Sequence, residues 1–289
     1  MIVVTGATGK LGKLIVEELA LRMAPGELGV SVRDPEKATA LQQKGIRVRR
    51  GDFAEPESLL HAFEGASKVL VVSSNARAFG GDPVAQHQAA IQAAKTVGVE
   101  RIVYTSQIAC SSTSAFPPAL DHARTEALLA ESGLAWTALR NGFYADSAPL
   151  FMGREWQQGT IAIPADGKVS WTAHADLASA AVAILTGERS FDGPTPPLTG
   201  SEALNFTDLA AMASSILGLP VTREVLSDEA FAEQAKQRGL PEGYVSIMLG
   251  FYKASRRAEF SKVDPTLEQL IGRPPKSMRH VLEALLVAS

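Results

Sequence analysis

Three glycines carry the strongest chemical signal in the chain. Gly6, Gly9 and Gly12 stand in the run Val4-Thr5-Gly6-Ala7-Thr8-Gly9-Lys10-Leu11-Gly12, between a β-branched run and a helix-period stretch. That setting makes the spacing informative. Gly6 permits a tight turn, Gly9 lets a pyrophosphate approach the backbone, and Gly12 lets the helix pack closely on the strand. The free N–H groups of the helix start then face phosphate. The expected ligand is a dinucleotide held by Gly6, Thr8, Gly9, Lys10, Leu11 and Gly12. A plain glycine-rich β–α turn is the alternative, and glycine is costly at a helix start without a ligand.

A second signal lies about 20 residues further on, where the second strand should meet the adenosine ribose. The chain reads Val32-Arg33-Asp34-Pro35-Glu36-Lys37. Cations at Arg33 and Lys37 suit a 2′-phosphate and favour NADPH over NADH. Arg33 can also lie on the adenine face. Asp34 stays open between two roles. One residue of slip makes it a ribose acceptor, whereas Pro35 at a first helical position makes it an N-cap. Asp52 and Phe53 end a third strand, where the carboxylate suits the adenine amino group. Ser73, Ser74 and Asn75 end a fourth, and Thr105, Ser106 and Gln107 a fifth. Ligands bind outside the carboxyl ends of the strands in such sheets, so these tips are expected to line the crevice.

The elements that must hold these residues follow from periodicity. Short β-branched runs at 2–5, 29–32, 47–49, 68–72 and 101–105 alternate with helix-period stretches at 11–23, 35–44, 56–63 and 84–97. A further helix spans 121–132 and a strand 136–139. This alternation predicts βαβ units and right-handed crossovers. The fold class is therefore α/β, a Rossmann-type doubly wound parallel sheet, with a smaller, mostly helical C-terminal substrate region. Residues 1–144 form the nucleotide-binding domain, completed by elements in 168–190, and residues 145–289 form the acceptor-pocket region. Short strands are expected at 161–164 and 169–171 around an Asp166-Gly167 turn. Residues 191–200 read as a connector, and helices dominate after it, with Ser227 and Ser277 as caps.

At this point the sequence resembles the short-chain dehydrogenase/reductase superfamily, in its atypical NmrA-like branch. Within that branch it looks most like the NAD(P)H-dependent quinone oxidoreductase and triphenylmethane reductase group. The residues carrying the resemblance are the Val4–Gly12 run, Val32-Arg33-Asp34-Pro35-Glu36-Lys37-Ala38, Gly51-Asp52-Phe53, and Ser132 through Tyr144. The similarity of pattern reaches Leu270-Ile271-Gly272 and so covers nearly the whole chain. It implies that Asn141, Gly142 and Phe143 contact the nicotinamide side and that Tyr144 belongs to the pocket wall. Phe143, Tyr144, Phe151, Trp156 and Trp171 are then expected to cage a flat acceptor.

The chain departs from the ordinary superfamily in one respect. The usual Tyr-x-x-x-Lys pair is missing: Tyr104 is followed four residues on by Ile108, Tyr144 by Ala148, Tyr244 by Met248 and Tyr252 by Arg256. Isoflavone-reductase-like relatives use a lysine in the corresponding helix, and the segment 121–132 has none. Strongly electrophilic acceptors tolerate that loss, because proximity and alignment supply much of a hydride transfer's acceleration. His122 is the candidate catalytic acid, with a packing histidine as its alternative. The expectation is a reductase passing hydride from NADPH to a quinone-like or conjugated aromatic acceptor. A non-catalytic NAD(P)-sensing regulatory protein is the second reading, and an isomerase or epimerase is disfavoured by the missing pair.

Composition excludes much else. The 289 residues carry 28 Lys+Arg against 31 Asp+Glu, a net charge of −3 with no electrostatic footprint for nucleic acid or an anionic membrane. One cysteine, Cys110, allows no intrachain disulfide, and five scattered histidines predict no metal site. Cys110 reads as a packing residue or a redox-sensing thiol. No apolar run is long enough to span a bilayer, and no leader pattern opens the chain. A soluble, cytoplasmic protein is expected, and a homodimer is compatible with the sequence.

Overall fold

The computed structural model describes residues 1–153 and 155–287. Its first half alternates strand and helix: β1 (Ile2–Thr5), α1 (Lys10–Ala20), β2 (Leu28–Val32), α2 (Thr39–Gln43), β3 (Arg47–Arg50), α3 (Pro56–Phe63), β4 (Lys68–Val71), α4 (Pro83–Thr96), β5 (Arg101–Gln107), α5 (Pro117–Glu131) and β6 (Ala135–Asn141). After these come β7 (Phe143–Tyr144), α6 (Ala148–Met152), β8 (Thr160–Pro164), β9 (Trp171–Thr172), α7 (His174–Leu185), β10 (Gly193–Pro194) and α8 (Phe206–Leu217). The chain ends with β11 (Thr222–Leu226), α9 (Asp228–Gln237), α10 (Glu242–Arg256), α11 (Thr266–Ile271) and α12 (Met278–Val287).

Seven strands form one sheet in the order β10-β6-β5-β4-β1-β2-β3, and every pairing is parallel. Parallel strands are covered on both faces, which is why they are apolar without a polar side. Successive side chains point to opposite faces. Ile2 and Val4 pack with α1, α7 and α11, while Val3 packs with α3 and α4. Val69 and Val71 join Val3, and Leu70 faces Ile2 and Val4. The result is the Rossmann-like, doubly wound layering that the alternation predicts.

Several boundaries differ from the sequence-based expectation. The segment from Pro35 is a 3-10 turn through Ala38 before α2, so the helix is broken in two. The helix expected from Asp121 starts earlier, at Pro117, with proline in its first turn. No hairpin forms around Asp166-Gly167: β8 pairs with β11 and β9 with β7. Asp166 instead accepts the Phe206 N–H at the start of α8 and pairs with Arg223 at 2.5 Å, both side chains being buried. Gly167 lies where any Cβ would sit 2.1 Å from the Ser255 carbonyl oxygen. The connector after Phe191 supplies β10, the outermost strand beside β6. Proline is tolerated there because an edge strand needs no donor on its outer side.

The C-terminal elements pack around a cluster of rings. Phe251 is fully buried, with Phe143, Phe151, Trp171, Phe206, Tyr252 and Phe260 as ring neighbours at centroid distances of 4.2–6.1 Å. Phe143 links this cluster to the end of β6, so the second core is fused to the sheet. Phe251→Ala is expected to cost about 3–5 kcal/mol, the usual range for deleting a buried aromatic ring. Urea denaturation followed by far-UV circular dichroism measures it, and a loss under 1 kcal/mol would show the cluster to be dispensable.

Candidate functional site

The glycine turn has the geometry its residues dictate. Gly6 has φ +62°, a left-handed conformation open to glycine, and its carbonyl accepts the Gly9 N–H at 2.9 Å. A Cβ on Gly12 would lie 2.2 Å from that same carbonyl oxygen, so the helix could not sit this close with any other residue. Gly9 is the N-cap of α1 and offers no side chain to its first N–H groups. Those donors and the positive end of the helix are left for an anion.

The turn opens into a cleft of about 800 Å³ at the carboxyl ends of the strands. The strand order reverses between β1 and β4, which is where such crevices form. Past this point the β4 backbone is satisfied by side chains. Val72 N–H donates to Thr5 Oγ1 at 2.9 Å, Ser73 N–H to Thr105 Oγ1 at 2.8 Å, and Ser74 N–H to His87 Nε2 at 2.8 Å.

Most of the residues singled out in the sequence meet at this cleft. Gly6, Thr8, Gly9, Lys10, Leu11 and Gly12 line it, with Arg33, Asp52 and Phe53 toward β2 and β3. Ser73, Ser74, Asn75, Ser106, Gln107 and His122 line its middle, and Asn141, Gly142, Phe143, Tyr144 and Phe151 the far side. Five stand elsewhere. Thr105 is fully buried behind Ser73. Lys37 is exposed, and its ammonium lies 3.5 Å from Asp34, which caps the 3-10 turn by accepting the Glu36 N–H. Asp34 therefore takes the N-cap role and does not line the cleft. Trp156 is buried in the C-terminal core, and Trp171 is held there with its Nε1 donating to the Leu204 carbonyl. The expected five-ring cage is thus a three-ring wall of Phe143, Tyr144 and Phe151. Trp171 supports it from behind by an edge contact to Phe143 at 5.6 Å.

Several polar groups around the cleft are left without a well-aligned partner. Both side-chain polar atoms of Asn141, the Gln107 Nε2 and the Ser31 Oγ are buried without a well-aligned hydrogen-bond partner among the described residues, the Tyr144 hydroxyl being a neighbour of the Asn141 amide. All three residues line the cleft. Buried polar groups are ordinarily paired, and leaving one unpaired costs about 1–3 kcal/mol. Lys10 and Arg33 are exposed at the other end, and no ion pair among the described residues includes either. The arrangement fits a dinucleotide: phosphates at the glycine turn, basic groups at the ribose end, and amides near the end of β6.

Charged pairs brace the walls. Arg140 donates to both oxygens of Glu126 at 3.1 and 2.7 Å, and Ser106 donates to Glu126 at 2.6 Å. Burial opposes the Glu126 charge, and these bonds outweigh it and hold the carboxyl below its ordinary range. Arg77 grips Asp121 with two bonds of 2.5 Å. Burial pushes the Cys110 thiol up to about 12, aided by the Glu126 charge, so it stays protonated. This is the packing role, since the thiolate is the reactive form.

Two histidines meet in the middle of the cleft. The His122 Nδ1 shares a 2.7 Å hydrogen bond with the Tyr104 hydroxyl, and burial lowers its pKa to about 4. His87 was not singled out in the sequence. Its Nε2 accepts from Ser74 N–H, so its Nδ1 carries the proton and donates to Thr125 Oγ1 at 2.9 Å. Thr125 in turn donates to the Asp121 carbonyl at 2.8 Å. The only sequence signal was position: His87 lies one turn beyond the Asp82-Pro83 cap of α4 and so faces the β4 tip.

Comparison with known proteins matches this geometry. A glycine turn beneath a helix N-terminus, at the switch point of a parallel sheet, defines a nucleotide-binding protein of the doubly wound class. A family model described as NAD(P)H-binding matches residues 6–188, and the chain belongs to that family. It is 34% identical over 279 residues to quinone oxidoreductase 2 of Escherichia coli strain K12, covering 96% of each chain. A crystal structure of an NADPH-dependent quinone oxidoreductase from E. coli, complexed with NADPH, superposes with a TM-score of 0.89 at 34% identity, over 99% of this chain and 100% of the other. The Citrobacter sp. triphenylmethane reductase complexed with NADP(H) superposes at 0.88 with 31% identity, over 98% of this chain and 99% of the other.

Burial lowers the His87 pKa to about 3, with the nearby His122 adding to the effect. An unfolded histidine titrates near 6.5, so between these values the unfolded chain binds a proton the folded chain refuses. Stability is then fully present above about pH 6.5 and falls as the pH drops toward 3. The expected His87 contribution at pH 5 is a loss of about 2 kcal/mol relative to pH 8. Urea denaturation at the two pH values should show His87→Gln losing less stability on acidification than the wild type. An equal loss in both would mean that His87 is not held neutral.

Proposed function

We propose that this chain is an NADPH-preferring oxidoreductase that passes hydride to a quinone-like or conjugated aromatic acceptor. The observation that carries the reading is the asymmetry of one continuous cleft. Its glycine end offers helix N–H groups and the unpaired cations Lys10 and Arg33, while its other end offers unpaired amides and an aromatic wall. The family supports a nicotinamide dinucleotide, and the names of the similar proteins support acceptors of this class.

The residues divide the work along the cleft. The α1 N-terminus and Gly6–Gly12 would hold the pyrophosphate. Arg33, aided by Lys10, would select a 2′-phosphate. Asp52 and Phe53 would bound the adenine, and the Ser73–Asn75 and Ser106–Gln107 tips would line the path to the nicotinamide. Asn141 and Gln107 would give their amides to a carboxamide, satisfying groups otherwise orphaned. When bound, the reduced dinucleotide supplies the hydride. Residues 1–144, with α7 and β10, form the nucleotide-binding part. The segment from 145 onward builds the acceptor side, where Tyr144, Leu150, Phe151 and Ile247 exclude water and favour flat rings.

The chemistry proceeds without a Tyr-x-x-x-Lys pair. Burial raises the Tyr104 pKa well above its ordinary value, so this phenol holds its proton and is no substitute for that pair. His122 is uncharged at neutral pH and assists at most as a weak donor. An acceptor that is already electrophilic can dispense with that pair, because alignment in the cleft supplies much of the acceleration.

NADPH oxidation measured against a panel of quinones and cationic dyes tests the reading. Turnover of either class is expected, whereas tight NADP(H) binding without turnover would favour the sensor alternative. Arg33→Ala is expected to raise the apparent KM for NADPH by about tenfold or more with little change for NADH, as loss of a charge-assisted bond to phosphate requires. An equal effect on both cofactors would mean that Arg33 stacks on adenine instead.

A further inference from the structure

A second polar constellation borders the acceptor end of the cleft. His174 is the first residue of α7, 6% exposed, and lines the cleft beside Tyr144. The two rings lie 4.3 Å apart between centroids and are tilted by 36°. Asp146, in the turn after β7, places Oδ2 2.9 Å from His174 Nδ1 and 3.0 Å from the His174 backbone N–H. The Nδ1–Oδ2 contact is short but off the line of a hydrogen bond, and no other group among the described residues bonds Nδ1.

That contact bears on which ring nitrogen carries the hydrogen. Burial opposes the Asp146 charge, but the contacts to His174 outweigh it and take the carboxyl down to about 2. Asp146 is therefore an anion throughout the working range and can only accept. A lone pair on Nδ1, 2.9 Å from that anion, would be repelled, whereas an N–H there is attracted even off the ideal line. Nδ1 thus carries a hydrogen, and Nε2 is left as the ring nitrogen open to a further partner. Nothing among the described residues bonds Nε2. Of the other ionisable groups nearby, Tyr144 stays protonated because burial raises its pKa, and Asp176 is committed to Arg273 at 2.6 Å. The Tyr144 face can also support an imidazolium.

We propose that His174, oriented by Asp146, is the proton donor to the oxygen of a carbonyl acceptor in this cleft. The inference rests on the functional reading above and deepens it. Reduction of a quinone to a hydroquinone consumes one hydride and one proton. The hydride comes from the reduced nicotinamide. The proton leaves His174 Nε2 as the Nε2–H bond breaks and the new O–H bond forms on the acceptor. His174 is left neutral, still protonated on Nδ1 against Asp146, and regains its proton from water through the cleft. A cationic triarylmethane dye takes hydride on carbon and becomes neutral, so it consumes no proton.

The two acceptor types therefore separate a proton donor from a structural residue. His174→Gln is expected to lower kcat for a benzoquinone by about 10²-fold, the scale of an acid's contribution, and to leave kcat for a cationic triarylmethane dye within about threefold. Asp146→Asn, which keeps an acceptor for the backbone N–H, should show the same selectivity in milder form. Long-range ¹H–¹⁵N spectra of the protein without cofactor give a readout apart from activity. The neutral His174 ring should be the Nδ1–H tautomer in the wild type and shift toward Nε2–H in Asp146→Asn. Equal loss with both acceptors, unchanged quinone turnover, or an Nε2–H tautomer in the wild type would overturn the proposal. Failure of the wild type to turn over either acceptor would overturn the functional reading itself, and this proposal with it.

Discussion

The site exists because β1 and β4 part company at their carboxyl ends. Up to Val71 the β4 backbone is held by its neighbouring strands, and beyond it three successive N–H groups lose those partners. Backbone donors cannot be left unpaired in a buried place, since each would cost about 1–3 kcal/mol. Thr5, Thr105 and His87 supply the missing acceptors from β1, β5 and α4. The gap therefore stays open with its edges pinned. It is also where the glycine turn leaves β1, so the α1 N-terminus points into a rigid crevice.

The acceptor end is braced by ion pairs that come from distant parts of the chain. Glu126 on α5 holds Arg140 on β6, and Arg77 holds Asp121. Buried Asp176 on α7 accepts from Arg273 and from the Lys276 backbone N–H, fastening the loop before α12. Breaking one side of such a pair is costly because it strands a buried charge, by about 3–5 kcal/mol. These contacts are better regarded as positional constraints than as net sources of stability. Each ties a strand or loop to a helix, and Arg77 and Asp121 themselves line the cleft.

Periodicity and turn chemistry made the first half of the chain legible. Alternating strand and helix periods and the glycine spacing specify β1 through β6 and the nucleotide end, because those signals are local. Asp34 as a cap was readable from Pro35 for the same reason. The misread parts depend on long-range partners. Asp166 looks like a hairpin turn until Arg223, 57 residues away, is seen to hold it. Trp156 and Trp171 look like cage residues until the C-terminal helices bury them. His87, Asp146 and His174 carry no motif at all. They come together only because α4, the turn after β7 and α7 converge on the strand tips.

The two walls of the acceptor end differ in how freely they can move, and this bears on what they can recognise. Phe143 is wedged among Phe116, Phe151, Trp171, Phe251 and Phe260 at centroid distances of 4.6–5.7 Å, so its ring has little freedom. Leu150, which also lines the cleft, lies on the five-residue helix α6 and is 52% exposed. A fixed aromatic face and an adjustable aliphatic edge suit flat ligands of varied outline. Selectivity by outline is then weak, because apolar contact alone discriminates a methylene by only about 1–3 kcal/mol. On the function proposed above, selection then falls on electrophilicity, since the chain has no Tyr-x-x-x-Lys pair to activate a poorer acceptor.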